Sequence, residues 1–195
     1  MSCKWKSCKN CDSLCLWARG MSRLFSESNL ENRLQERIDI DCSENTKELL
    51  SNARQFVELG KIIIIESNEK DLATLLAVKF LQNYFNQVAE EASVDGLGVY
   101  VPVIEWIKRG LDAAKSGKDE LYFFKVKTLV QKSKLIVWDV LGRLTDYQKE
   151  ELSMYFYSSW MKGKSQVITL FPGWKDVFKY CAMGSLLDKA KVVKI

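Results

Sequence analysis

The segment that most constrains the fold is a run of four isoleucines, residues 62 to 65, followed by a short polar turn and a long apolar-periodic stretch. The isoleucines, with Lys61, predict a strand that is buried on both faces, as in a parallel sheet. The periodic stretch predicts a helix from Lys70 to about Glu91. A strand, a turn and a helix in this order form the repeating unit of parallel α/β proteins.

The same alternation continues toward the C terminus. Strand and helix alternate about five times, so we predict an α/β fold in which a parallel sheet carries helices on its faces. The further predicted strands are 98–103, 134–139, 166–171 and 191–195, and the further predicted helices are 43–59, 104–114, 119–132, 145–162 and 174–187.

The N-terminal part of the chain differs from the rest. Residues 1–42 carry five of the six cysteines and show no strand pattern, so we predict a cysteine-rich head and linker over 1–42 and an α/β body over 43–195. The net charge of +4 is well below that expected of a protein that coats DNA. Neither a membrane span nor a signal peptide is apparent, which predicts a cytoplasmic protein with no membrane partner.

Four of the cysteines have the spacing of a metal site, Cys3-x4-Cys8-x2-Cys11-x3-Cys15. Thiolates at this spacing can converge on one tetrahedral ion. The chain has no histidine, and a reducing compartment favours metal binding over disulfides. We predict that Cys3, Cys8, Cys11 and Cys15 hold zinc. A four-iron, four-sulfur cluster fits similar spacing, and free cysteines in an unfolded tail are the third alternative.

The turn after the isoleucines occupies the place of a phosphate-binding loop but contains no glycine. Such a loop needs two glycines that let the backbone wrap the phosphates, a lysine on the phosphates and a hydroxyl on magnesium. Thr74 takes the place of that hydroxyl and Ala73 that of the lysine. Leu72 and Ser67 take the places of the glycines, and Lys70 lies outside the lysine position. From these residues alone, the turn is either a phosphate-binding loop that has lost its chemistry or a turn that was never such a loop.

Residues 129–170, LVQKSKLIVWDVLGRLTDYQKEELSMYFYSSWMKGKSQVITL, resemble the helicase-loader ATPases of the DnaC/DnaI type, AAA+ proteins of bacteria and phages that are related to the transposition ATPase IstB. The stretch VYVPVIEWIKRGL, residues 99–111, is similar to the second strand and following helix of that family. The cysteine-bearing segment is similar to the head of some phage members. The resemblance implies an AAA+-like P-loop NTPase fold, a role in DNA replication and a head that grips the helicase.

The resemblance also indicates which catalytic groups are missing. It aligns Asp139 with the aspartate that holds magnesium, and Val140 with the acidic neighbour that polarises the attacking water. Leu170 and Phe171 replace the serine and asparagine that follow Thr169 at the end of the sensor strand. The arginines that reach a neighbouring nucleotide also have no counterpart. We therefore expect a pseudo-ATPase that neither binds nor hydrolyses ATP.

These observations predict an inactive loader-like protein that binds the replicative helicase or an active loader paralogue. Contact with single-stranded DNA and self-association are compatible with this expectation. One alternative is a zinc-dependent single-stranded DNA-binding protein in which Trp5 and Trp17 stack on bases. The other is a divergent ATPase in which Asp139 and Lys70 survive as functional groups.

Overall fold

The structure, a computed structural model, describes residues 16–35, 38–89, 97–117, 119–174 and 188–195. The described residues form one five-stranded parallel sheet with the strand order β2-β3-β4-β1-β5. This confirms the predicted parallel α/β fold. The strands are β1 (Ile62–Glu66), β2 (Gly98–Pro102), β3 (Leu135–Asp139), β4 (Ser165–Leu170) and β5 (Lys191–Lys194).

Helices cover both faces of this sheet. A 3₁₀ turn at Asn32–Leu34 follows the first helix. The predicted helix 174–187 lies outside the described residues, except for Trp174. The helices are α1 (Leu16–Glu27), α2 (Glu44–Ser51), α3 (Ala53–Glu58), α4 (Lys70–Val88), α5 (Val103–Ser116), α6 (Glu120–Lys132) and α7 (Asp146–Met161).

The single helix predicted over 43–59 is wrong, because the chain breaks at Asn52 into α2 and α3. The side chain of Gln87 in α4 explains why the break is tolerated. Its amide nitrogen donates to the carbonyl of Ser51 at 2.8 Å, and its carbonyl oxygen accepts from the N–H of Arg54 at 2.7 Å. Backbone groups at the break are thereby hydrogen-bonded to α4.

Two hydrophobic cores explain the four consecutive isoleucines. Successive side chains of a strand point to opposite faces of a sheet. Ile63 and Ile65 pack into a core formed with α1 to α4, whereas Ile62 and Ile64 pack into a second core formed with α5 to α7. The strand is therefore buried on both sides, as the sequence predicts.

Helix α1 belongs to the first core, although the sequence analysis assigns residues 1–42 to a head and linker. Trp17 and Met21 are buried in that core, and the indole N–H of Trp17 donates to Asn86 Oδ1 at 3.0 Å. Gly20 permits this approach, because a Cβ atom there would lie 1.9 Å from the carbonyl oxygen of Ala89. A cut at residue 42 would thus remove part of the core of the body.

The segment after α1 also covers the outer edge of β2. The N–H of Tyr100 donates to the carbonyl of Ser28 at 2.8 Å, and Asn29 Nδ2 donates to the carbonyl of Tyr100 at 3.0 Å. An uncovered edge strand would present these groups to other chains.

Among the described helices, none is long and apolar enough to span a membrane.

Candidate functional site

The carboxyl edge of the sheet brings together two of the site residues that the sequence predicts. Asp139 ends β3, and Thr74 lies in the first turns of α4, which follows β1. Thr74 Oγ1 donates a hydrogen bond to Asp139 Oδ2 at 2.9 Å. Ligand sites in open parallel sheets lie at this edge, so the predicted positions converge where such a site would be built.

Two further hydroxyls donate to the same carboxylate. Tyr100, a buried residue of β2, donates to Asp139 Oδ2 at 2.7 Å. Thr169 of β4 donates to Asp139 Oδ1 at 2.8 Å, and its oxygen accepts from the N–H of Val140 at 3.0 Å. The sequence analysis did not single out Tyr100, because its role depends on β2 lying next to β3.

The arrangement around Asp139 gives this carboxylate a structural task. An ionised carboxylate offers about four acceptor positions, and three hydroxyls of the described residues, on α4, β2 and β4, already donate to Asp139. The carboxylate is buried, so these bonds connect four elements away from bulk water. The described residues therefore occupy most of the acceptor positions of this carboxylate.

The connection between β1 and α4 is short. It comprises residues 67–69, and the helix already begins at Lys70. The N–H of Ser67 extends the sheet by donating to the carbonyl of Leu170 at 3.1 Å, and the Ser67 hydroxyl oxygen accepts from the N–H of Glu69 at 2.9 Å. The N–H of Ala73 donates to the carbonyl of Glu69 at 3.1 Å. These three amides are therefore engaged within the protein.

The side chains at the remaining predicted positions lie in apolar or peripheral places. Ala73, at the lysine position, is fully buried in the first core, and Val140, at the position of the second acid, is buried in the second core. Leu72 is half-buried, and Lys70 is exposed at the start of α4. A lysine at position 73 or an acid at position 140 would thus introduce a charge into a hydrophobic core.

The predicted metal ligands Cys3, Cys8, Cys11 and Cys15 lie outside the described residues. Zinc binding, and the alternative iron–sulfur cluster, therefore stay predictions. Within the described ranges, no group of three or more histidine, cysteine or acidic side chains is placed to hold a metal ion.

Trp17, which the sequence analysis names, is buried, so its ring is not available to stack on a base. Lys164, which lies in the segment 129–170 that resembles the loader family, also has a structural role. It donates from Nζ to the carbonyls of Val130 and Gln131, both at 2.6 Å, at the end of α6. Burial lowers the pKa of Lys164, and the nearby charge of Lys162 lowers it further.

No protein-family model and no curated protein matches this chain. Among solved structures, the chain is similar to a protein described as the DnaC helicase loader, known from its crystal structure. The TM-score is 0.58, the sequence identity is 20%, and the match covers 89% of this chain and 98% of that chain. At this identity the likeness shows the fold, so the chain has the α/β fold of that loader.

Proposed function

We propose that this chain is a helicase-loader-like protein that acts in DNA replication by binding the replicative helicase or an active loader paralogue, without using ATP. The observation that carries the proposal is Asp139, engaged by three hydroxyls of the described residues, beside a short turn in place of a phosphate loop. The fold likeness to the DnaC helicase loader over nearly the whole chain supports the replication role.

The loss of nucleotide chemistry rests on several independent positions. Ala73 supplies no cation for the phosphates, and the amides of Ser67, Glu69 and Ala73 are engaged within the protein. Val140 supplies no acid. The removal of one electrostatic group of this kind typically slows catalysis by about 10²-fold or more. Combined losses at the loop, the lysine and the second acid leave no effective route to hydrolysis.

The cysteine-rich segment is the partner-binding part of the proposal. Its last cysteine, Cys15, immediately precedes α1, and α1 is anchored in the body by Trp17 and Gly20. A zinc-bound head at residues 1–15 would therefore be joined directly to an anchored helix. Zinc binding would supply the folding free energy of this head, because the segment has little apolar material of its own.

The proposal is tested by measuring the affinity of the purified chain for the replicative helicase and for active loader paralogues of the source organism. The informative variant lacks residues 1–15, because removal of 1–42 would also remove buried side chains of α1. We expect the intact chain to bind one of these partners and the shortened chain to bind at least about tenfold more weakly, with an unchanged unfolding midpoint. Absence of binding to every partner would refute the proposal. Full affinity of the shortened chain would refute the role of the head.

The two alternatives have less support. The buried ring of Trp17 weakens the case for a zinc-dependent DNA-binding protein that stacks bases on its head. A divergent ATPase would need Asp139 and Lys70, but the carboxylate is engaged by hydroxyls and Lys70 is exposed at the start of α4.

A further inference from the structure

A cavity of 280 Å³ lies between α5 and α7, on the side of the sheet that carries α5 to α7. None of the described residues that line it contacts Asp139, so it is separate from the site at the carboxyl edge. Pockets for small ligands measure about 300 to 1,000 Å³, so this cavity has room for one side chain or one small molecule. Its aromatic lining residues are Trp106 of α5, Phe123 of α6, and Tyr147 and Tyr155 of α7.

The aromatic rings of the cavity are held in place by one another. The ring centroids of Trp106 and Tyr155 are 5.1 Å apart, and the two ring planes meet at 69°. Trp106 also stacks on Phe123 at 5.3 Å. Gly110 makes room for this stack, because a Cβ atom there would lie 2.6 Å from Phe123 Cε2. The faces of aromatic rings carry partial negative charge and attract cations, so rings that meet at an angle favour a cation between them.

The cavity also contains a carboxylate without a cationic partner. Glu151 of α7 lines the cavity and is half-buried. It forms no ion pair with a described residue, whereas Asp146 on the same helix pairs with Lys149 at 2.8 Å. Burial raises the pKa of the Tyr155 hydroxyl, and the charge of Glu151 raises it further, so the carboxylate acts on this part of the lining. A carboxylate that is partly withdrawn from water beside aromatic rings is stabilised by a bound cation.

We propose that this cavity binds the arginine side chain of a partner protein. A guanidinium group stacks on aromatic rings and forms two parallel hydrogen bonds with a carboxylate, and the cavity offers both kinds of group. Leu111 and Tyr147 also line it and are 45% and 70% exposed, so they provide apolar surface for the methylene groups of the arginine. The inference goes beyond the proposed function, because it places a protein contact on the α/β body, apart from the head.

The lining favours a side chain of a protein over a free amino acid. None of the described residues that line the cavity is basic. The α-carboxylate of free arginine would find no cation there and would be repelled by Glu151, whereas an arginine within a peptide chain has no such charge. A lysine ammonium group is more strongly hydrated than a guanidinium and has no planar surface to stack, so arginine is the better occupant.

An NMR titration of the full chain with N-acetyl-arginine N-methylamide tests the proposal. We expect resonances of α5 and α7 around the cavity to shift, with a dissociation constant on the order of millimolar for so small a ligand. N-acetyl-norleucine N-methylamide keeps an apolar stem without the charge and should bind at least about tenfold more weakly. Equal affinity for the two compounds, or no shifts up to about 50 mM, would overturn the proposal. Tighter binding of free arginine or of the equivalent lysine compound would also overturn it.

Substitutions on α7 assign the binding to the cavity. Glu151→Gln keeps the shape of the side chain and removes its charge, so it should weaken binding of the arginine compound at least about tenfold. The matched control is Glu150→Gln, since Glu150 is the adjacent, exposed carboxylate and does not line the cavity. Tyr147→Leu removes one ring and should weaken binding about two- to fivefold. Thermal unfolding checks that each variant is folded. Equal effects of Glu151→Gln and Glu150→Gln would attribute binding to the net charge of α7 and would overturn the proposal.

Discussion

At the scale of single residues, the carboxylate of Asp139 stabilises the edge of the sheet where nucleotides would bind. Its hydroxyl donors come from α4, β2 and β4, so one buried side chain connects elements that are distant in the sequence. Charged acceptors make stronger hydrogen bonds than neutral ones. The geometry therefore gives Asp139 a clear role in stability that requires no ligand.

Tyr100→Phe tests this role. The substitution leaves the ring in place and removes one donor from Oδ2, which then keeps Thr74 as its donor among the described residues. We expect a loss of about 1 to 3 kcal/mol in the free energy of unfolding, measured by urea denaturation at neutral pH. The control is Tyr84→Phe, because Tyr84 is also buried but its hydroxyl bonds to no described residue. Equal losses in both variants would contradict the role of Asp139.

Ala73→Lys tests the position that the sequence analysis assigns to the phosphate-binding lysine. Because Ala73 is fully buried in the first core, a lysine there must bury its amine or displace α4. We expect destabilisation by more than about 2 kcal/mol and no gain of ATP binding. Asn68→Lys in the exposed turn serves as the control, with a change within about 0.5 kcal/mol. A stable Ala73→Lys variant that binds ATP would show that the loop retains a latent phosphate site.

At the scale of elements, α1 fixes the N-terminal part of the chain to the body. Gly20→Ala should lift this helix, because the new methyl group would overlap the carbonyl oxygen of Ala89. We expect faster amide hydrogen exchange in α1 and a stability loss of about 1 to 3 kcal/mol. Ser22→Ala, on the exposed side of the same helix, should change neither quantity. Unchanged exchange in Gly20→Ala would contradict the tight docking of α1.

The predicted zinc head is checked by elemental analysis of protein purified without chelators. We expect about one zinc per chain, held by four thiolates, and its loss in Cys11→Ser with the α/β body still folded. Cys42→Ser is the matched control, because Cys42 is a free, half-buried cysteine outside the cluster. Less than about half an equivalent of zinc, with no iron chromophore, would refute a metal site.

The sequence predicts the strands to within one residue at most ends. A run of apolar residues such as 62–65 is typical of a strand that is buried on both faces, so its bounds can be read from the sequence. Helix α1 was missed, although Trp17, Met21, Leu24 and Phe25 have helical spacing, since the neighbouring cysteines favour a metal-organised segment. The break at Asn52 depends on Gln87, a distant residue on α4. Contacts of that kind follow from tertiary packing, which a local pattern does not encode.

The hydroxyl groups that donate to Asp139 show in the same way that contacts made by tertiary packing cannot be predicted from a local pattern. The sequence analysis assigned Thr74, from its place after the turn, and Asp139, from the resemblance to loader ATPases, to one site, and these two side chains are in contact. Tyr100 was not predicted, because only the strand order places β2 beside β3. The helix after β1 was predicted to begin at Lys70, and α4 begins there in the structure.

At the scale of the whole molecule, the chain has the α/β fold of the DnaC helicase loader at 20% identity, and helices on both faces of its sheet enclose two hydrophobic cores. Both cores extend to the carboxyl edge of the sheet, one through Ala73 and the other through Val140. In the proposed function, the head, carried by α1, binds a replication partner.

The central claim, a loader fold that works without ATP, is tested most directly by the thermal unfolding midpoint of the full chain with and without millimolar ATP and magnesium. A ligand present at about a hundredfold excess over its dissociation constant stabilises the folded state by about 2.7 kcal/mol, which raises the midpoint of a chain of this size by about 5 to 10 °C. We predict an unchanged midpoint. A rise of several degrees with ATP, absent with magnesium alone, would contradict the account.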